Sequence, residues 1–180
     1  MQQHLLPNGE YLIIRPPVIE DAPALLETFR QQTSETDFLL FSPEETMALT
    51  LQDEEAFIQS FLDQPQHLLL LAEVNGKLAG SITVNQQPFR KQAHIGIMGI
   101  VVSRAYWNFG IGRRLMTAMI RWAEQHPEIT LIQFAAIAHN DKAIHLYRNF
   151  GFQEYGRIPD NMKLADGTFA PVILMQKLVK

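Results

Sequence analysis

Between His94 and Met119 the chain passes from a glycine-interrupted apolar run, His94-Ile-Gly-Ile-Met-Gly-Ile-Val-Val102, through Ser103 to Phe109 and into Gly110-Ile-Gly-Arg-Arg-Leu-Met116. The first run suits a strand. Beyond Gly110, the residues Ile111, Leu115, Ala118, Met119 and Trp122 recur at helical spacing, while Arg113, Arg114, Thr117, Arg121 and Glu124 take the other face. A strand that turns on paired glycines into an amphipathic helix must lay that helix on a sheet. The backbone amides from Asn108 to Arg113 lack intrahelical acceptors, and the helix dipole adds positive potential there, so an anion fits. Gly110 and Gly112 carry no Cβ, which lets a phosphate approach the backbone and lets the turn take positive φ. The pattern reads as a pyrophosphate cradle flanked by Arg113 and Arg114, or as a tight strand-to-helix turn.

Two common phosphate motifs do not fit. A P-loop needs Lys and then Ser or Thr after its last glycine, where this chain has Arg113 and Arg114. The dinucleotide fingerprint needs a third glycine where Leu115 stands, and no acidic residue follows on a strand in the right register. The segment Trp107-Asn-Phe-Gly110-Ile-Gly112 instead resembles motif A of the GNAT acetyltransferases: Arg or Gln, two residues, Gly, one residue, Gly or Ala. It departs from that pattern at Trp107. A second segment, Asn140-Asp-Lys-Ala-Ile-His-Leu-Tyr147-Arg-Asn-Phe-Gly151-Phe152, resembles motif B of the same superfamily. The resemblance runs from about Tyr11 to Lys177 and is most specific from Gly96 to Phe152.

The resemblance implies an α/β GNAT fold as a single domain over residues 1–180: a mixed twisted sheet flanked by helices, with splayed parallel central strands. It also implies acetyl-CoA as the donor. Backbone at Asn108, Phe109, Gly110, Ile111, Gly112 and Arg113 would hold the pyrophosphate. Ile100, Val101 and Val102 would pair with the pantetheine arm beside a bulge at Gly96 or Gly99, although those glycines also suit mere relief of crowding. Asn140 would hydrogen-bond the arm, and Tyr147 would be the acid that protonates the CoA thiolate.

Composition narrows the remaining choices. With 180 residues, 47% hydrophobic and 19% charged, the chain can bury a sizeable core. A formal charge of -4 and the lack of Lys/Arg runs argue against a nucleic-acid partner. The absence of cysteine excludes disulfides, thiolate metal sites and a cysteine acyl-enzyme. The histidines show no metal-ligand spacing, so no metal is expected. No apolar run approaches the ~18 residues of a membrane span, and a cytoplasmic location is the expectation.

The rest of the chain alternates elements. Tyr11 to Arg15 reads as a strand stopped by Pro16-Pro17, and a helix follows with Asp21 at its start and Ala22, Leu25, Leu26 and Phe29 as its buried stripe. From Gln31 to Met47 the pattern is irregular, with acidic residues around an apolar knot, Phe38 to Phe41, that reads as a satellite core or a substrate lid. A helix from about Asp53 to Gln64 precedes two strands, His67 to Val74 and Leu78 to Asn85, joined by Asn75-Gly76-Lys77. Leu131 to Ala138 reads as a strand buried on both faces and parallel to the run from His94. Asn140 or Asp141 caps a last helix that Gly151 ends. Strands at about Glu154 to Arg157 and Phe169 to Leu178 flank a turn at Asp166-Gly167.

Acetyl transfer to an amine needs a donor site, a neutral amine and a proton for the leaving thiolate. His94 and Glu73 are the candidate bases, directly or through water. The expected activity is direct acetyl transfer to a primary amine of a small molecule, polyamine or amino-acid-like. The alternatives are a protein N-terminal acetyltransferase and a catalytically silent acyl-CoA-binding regulatory module. The family allows a homodimer, which no pattern in this chain supports.

Overall fold

The computed structural model describes residues 2–180. Its elements in order are β1 (Gln2–Leu5), β2 (Tyr11–Arg15), α1 (Ala22–Glu35), α2 (Pro43–Ala48), α3 (Leu51–Leu62), β3 (Leu68–Val74), β4 (Lys77–Gln86), β5 (Ile95–Val102), α4 (Ile111–Gln125), β6 (Leu131–Ile137), α5 (Asp141–Asn149), β7 (Gln153–Lys163) and β8 (Phe169–Leu178). They gather into two compact units, residues 2–84 with 99–119, and residues 85–98 with 120–180.

The first unit is an antiparallel meander, β1-β2-β3-β4, with the C-terminal half of β5 next in strand order. The hairpin between β3 and β4 turns on Asn75 and Gly76, both at positive φ (48° and 80°), the conformation an Asn-Gly pair supplies at least cost. Ala22, Leu25, Ile58, Phe61, Leu69 and Leu71 bring α1 and α3 onto β3 as one apolar core. Asp21 precedes α1 but does not cap its amides. Its carboxylate takes Arg15 Nη1 and Nη2 at 2.7 Å and the Val18 amide at 2.8 Å, and the guanidinium holds it below the usual carboxylate range. Gly80 lets β4 pass close under β5, since a Cβ there would stand 2.5 Å from the Val101 carbonyl oxygen.

The irregular reading of Gln31 to Met47 is corrected. α1 continues to Glu35, and α2 starts on a reciprocal box in which the Ser42 hydroxyl accepts from the Glu45 amide and the Glu45 carboxylate accepts from Ser42 N. Ser-Pro-Glu-Glu is a start signal that the acidic composition obscured. The knot at Phe38 to Phe41 is no satellite core: none of the four is buried, and Leu40 is 78% exposed. Phe41 is 45% exposed and only edges onto Phe29, with centroids 5.5 Å apart.

In the second unit the N-terminal half of β5 pairs in parallel with β6 from Ile95↔Leu131 to Ile97↔Gln133. Their pairing stops there, whereas β6 pairs with β8 along its whole length. Strand order is β5-β6-β8-β7. β6 is not buried on both faces along its length: Ile132 and Phe134 are buried while Ala135 on the opposite face is exposed, and that opposite face is buried only at the strand end, by Ile137. β7 outruns its expected end at Arg157 because Pro159-Asp160-Asn161 forms an irregularity, with Asp160 at φ 49°, rather than a terminus.

Along α4 the buried side chains are Ile111, Leu115, Met116, Met119 and Ala123. Ala118 and Trp122, expected in that stripe, are half-buried, because the stripe includes Met116 and Ala123 and is turned accordingly. The Trp122 ring rests on His126, 5.0 Å between centroids. No helix among the described residues is long and apolar enough to cross a membrane.

Candidate active site

In the first unit the site is built where β5 ends. Ser103, 3% exposed, donates its amide to the Ala79 carbonyl at 2.8 Å, and a short 3-10 turn follows over Arg104–Tyr106. Asn108 (φ 68°) and Gly110 (φ 82°) then take left-handed conformations, and α4 begins. Positive φ thus falls on Asn108 and Gly110, not on Gly112. Arg114 N donates to Gly110 O at 3.1 Å as the first rung of the helix. Among the described residues, the amides of Ile111, Gly112 and Arg113 have no acceptor. No acidic residue stands in that first turn. Arg113 is exposed beside it, and Arg114 Nη1 meets His4 Nδ1 at 2.8 Å, which requires that nitrogen to be unprotonated. A cavity of about 540 Å³ opens here, lined by Leu5, Leu6, Pro7, Gly110, Arg113 and Arg114 among others. Amides with no acceptor, a glycine open to approach and arginines with no carboxylate partner among the described residues are what a pyrophosphate requires.

Trp107 stands where the GNAT motif usually has Arg or Gln, and its indole Nε1 donates to the Val102 carbonyl at 2.7 Å. One lone pair of that carbonyl is therefore engaged within the chain, at the strand end where the resemblance implies that Val102 pairs with pantetheine. Ile100 and Val101 are half-buried at the same strand end. Gln32 and Glu35 on α1 also reach this turn, and no local signal marks them, since their partners lie about 70 residues away.

In the second unit, Asn140 precedes α5 and its Oδ1 accepts from the Ala143 amide at 3.3 Å. It is therefore an N-cap, whose Nδ2 remains as a donor toward a ligand. Tyr147 lies on the buried face of α5, its ring edge-on to Phe134 with centroids 4.5 Å apart, and Phe134 in turn meets Phe152 at 5.1 Å. Gly151, at φ 81°, ends the helix: its amide bonds Arg148 O at 2.9 Å and the Phe152 amide bonds Tyr147 O at 3.1 Å. This double bond pattern locks the Tyr147 backbone. The Tyr147 ring is 8% exposed, and burial pushes its hydroxyl up to about 12. No buried side-chain oxygen among the described residues is orphaned and this hydroxyl has no internal partner, so the oxygen lies at an accessible surface.

The two candidate bases fare differently. Glu73 is held by Arg15, Nε at 2.9 Å and Nη2 at 2.8 Å, so its carboxylate is engaged within the sheet. His94 is exposed just before β5, and its carbonyl accepts from the Thr130 and Leu131 amides. Among the described residues no group of three or more metal-ligating side chains converges.

Comparison with known proteins agrees with this geometry. The model of the acetyltransferase (GNAT) family matches residues 28–152. A solved acetyltransferase of the GNAT family from Streptococcus pneumoniae superposes with a TM-score of 0.88 at 30% identity, over 94% of this chain and 99% of that one. A ribosomal-protein-alanine N-acetyltransferase from Brucella melitensis shares the fold, with a TM-score of 0.81 at 24% identity over 92% and 99% of the two chains. In sequence, the L-amino acid N-acetyltransferase AaaT of Escherichia coli (strain K12) is 24% identical over 111 residues, 62% of this chain and 68% of that protein. A family match across most of the chain, joined to a strand–turn–helix with its amides free, places this protein in the GNAT superfamily of N-acetyltransferases, as an acyltransferase enzyme with the mixed α/β fold of that family.

Proposed function

We propose that residues 1–180 act as one N-acetyltransferase domain that passes an acetyl group from acetyl-CoA directly to a primary amine of a small molecule, amino-acid-like or polyamine. The observation that carries the donor half is the start of α4, where three amides without acceptors stand behind a left-handed Gly110 and beside Arg113. Acetyl-CoA supplies the acetyl group as an activated thioester. The amides of Ile111, Gly112 and Arg113 hold the pyrophosphate, with the backbone at Asn108, Phe109 and Gly110 shaping the cradle around it. Backbone groups at Ile100, Val101 and the Val102 amide orient the pantetheine arm, and Asn140 contributes its Nδ2.

Tyr147 offers a hydroxyl that burial keeps protonated across the neutral range, so it donates a hydrogen bond to the sulfur as negative charge develops there. A chain without cysteine has no thiolate to carry an acyl intermediate, which favours attack by the amine itself. The ammonium loses its proton to water in this reading, because Glu73 is engaged by Arg15 and His94 is an exposed residue ahead of β5. The amino-acid-like acceptor is supported by the name of the Escherichia coli relative and by exposed Asp37, Glu44 and Glu45 near exposed Leu40 and Phe41, a surface suited to an ammonium with an apolar side chain.

The test is thiol release from acetyl-CoA across amino acids, polyamines, aminoglycosides and short peptides. Turnover with a small amine is the expected result, and activity confined to peptide N-termini would overturn the small-molecule acceptor. Gly112→Val should weaken CoA binding at least about tenfold, because its branched side chain obstructs the phosphate approach. Undiminished affinity would remove the turn as the donor site.

A further inference from the structure

We infer that Gln32 and Glu35, one turn apart on α1, are positioning residues that set the donor turn, an inference resting on the reading of that turn as the pyrophosphate site. Gln32 Nε2 donates to Ser103 Oγ at 3.0 Å, with both residues 3% exposed. The Arg104 amide donates to Glu35 Oε2 at 2.7 Å, and Glu35 Oε1 is steadied by Gln31 Nε2 at 2.8 Å. Ser103 and Arg104 are the first two residues after β5, and every later residue of the turn is placed from them.

Each contact does something a packing role would not require. A buried amide–hydroxyl pair costs its desolvation and returns little net stability, and two apolar side chains of similar shape would fill the same space about as well. What the polar pair adds is direction: it ties Ser103 to one side of α1 while the Ser103 amide is held from the other side by the Ala79 carbonyl. The Glu35 carboxylate satisfies the first amide of the 3-10 turn over Arg104–Tyr106, and a carboxylate is the strongest acceptor available for that end. The turn's far side is closed by Trp107, whose indole bonds Val102 O and whose face lies 5.9 Å from the Arg104 guanidinium carbon. Strand end and 3-10 turn are thus gripped from α1, β4 and Trp107 immediately before the backbone swings through Asn108 and Gly110 to present its free amides. Loosening the α1 grip lets that swing wander, and affinity for an anion held by three parallel amides falls off with misalignment.

The test compares the parent with Gln32→Leu/Ser103→Ala, Glu35→Ala and Glu35→Gln, measuring CoA affinity by calorimetry, KM for each substrate and Tm. The double variant removes both buried polar groups together and leaves none orphaned. Both it and Glu35→Ala should weaken CoA binding by about five- to tenfold, the effect of a lost hydrogen bond, with acceptor KM and Tm near the parent. Glu35→Gln keeps an oxygen for the Arg104 amide and should restore most of the affinity. Unchanged CoA affinity in folded variants, or losses spread evenly over donor KM, acceptor KM and Tm, would overturn the assignment. Should the double variant fail to fold, half-buried Glu35 and its Gln counterpart decide alone. Gly112→Val runs in the same titration: if it weakens binding and the α1 variants do not, only the positioning role falls, whereas if it leaves binding intact the donor site itself is misread.

Discussion

Two helices in this protein each follow a strand, and they begin in opposite ways. At α5 the Asn140 side chain takes the Ala143 amide and Asp141 sets a negative charge in the first turn, so the helix end is satisfied from within. At α4 the amides of Ile111, Gly112 and Arg113 have no acceptor among the described residues, and the first turn carries Arg113 and Arg114 with no acid. α2 and α3 follow the α5 pattern, each with a capping box and acids in the first turn. Arginine at a helix start works against the dipole, so α4 gives up stability that an acid or a cap would supply. A helix end left unsatisfied and positively charged suits an anion, which is the basis of the proposed donor site. α1 also starts without a side-chain cap or a first-turn acid, so it is the arginine pair that sets the α4 start apart and on which the proposed donor site rests.

The sharpest way to set the two regions against each other is through their separate contributions to turnover. Tyr147→Phe removes only the hydroxyl that α5 presents and should lower kcat by roughly a hundredfold or more, with CoA affinity nearly unchanged. Because that hydroxyl is pushed up to about 12, the parent's rate should show no loss from its ionisation between pH 7 and 10; an alkaline fall that vanishes in the Phe variant would assign the group differently. At α4, Arg113→Glu should act in two directions at once. CoA binding should weaken by at least about tenfold in titration, while the helix gains about 0.3–1 kcal/mol from an acid at its start, visible as a higher Tm. A lower Tm would mean that the free amides are not the unsatisfied end described above.

A smaller effect belongs to Asn140→Ala, which should cost about 1 kcal/mol of stability through the lost cap. A CoA affinity loss exceeding that cost would show that Asn140 Nδ2 also holds the donor, making the α5 start functional as well as structural. The smallest sits at the third helix start, where Glu54 is buried in the first turn of α3 and its carboxyl is pushed up to about 7 from 4.5 by desolvation. The folded state therefore holds that proton more tightly than the unfolded one. Below pH 4.5 the group costs nothing, and as the pH rises toward 7 the unfolded chain ionises first and stability falls. Glu54→Gln should accordingly match the parent in Tm near pH 4 and exceed it at pH 8, and equal Tm values at both would remove the burial penalty.

Local chemistry explains which features could be read in advance. Gly151 and the Asn75-Gly76 pair were legible because positive φ is cheap there and nearly nowhere else, and the structure places all three at positive φ. The turn from β5 into α4 was legible because paired glycines after an apolar strand have few uses. The acidic stretch before α2 was misread because a capping box and a loop draw on the same residue types, and only the spacing from Ser42 to Glu45 tells them apart. The stripe of α4 was read with Ala118 and Trp122 in place of Met116 and Ala123, since a helix face is drawn from apolarity while burial follows what packs over it.

The residue order by itself determined the strand–turn–helix at Gly110, the fold family and the identity of Tyr147 as the aromatic of motif B, because these rest on interactions within a few residues of chain. Only the tertiary structure decided that Trp107 closes onto Val102, that Arg15 engages Glu73, and that Gln32 and Glu35 reach Ser103 and Arg104. The contacts from Arg15, Gln32 and Glu35 bridge about 60 to 70 residues of sequence. Even Trp107, five residues from Val102, depends on which way the turn folds back. Hydrogen-bond direction between distant segments is set by how helices seat on a sheet, and no periodicity in the chain records it.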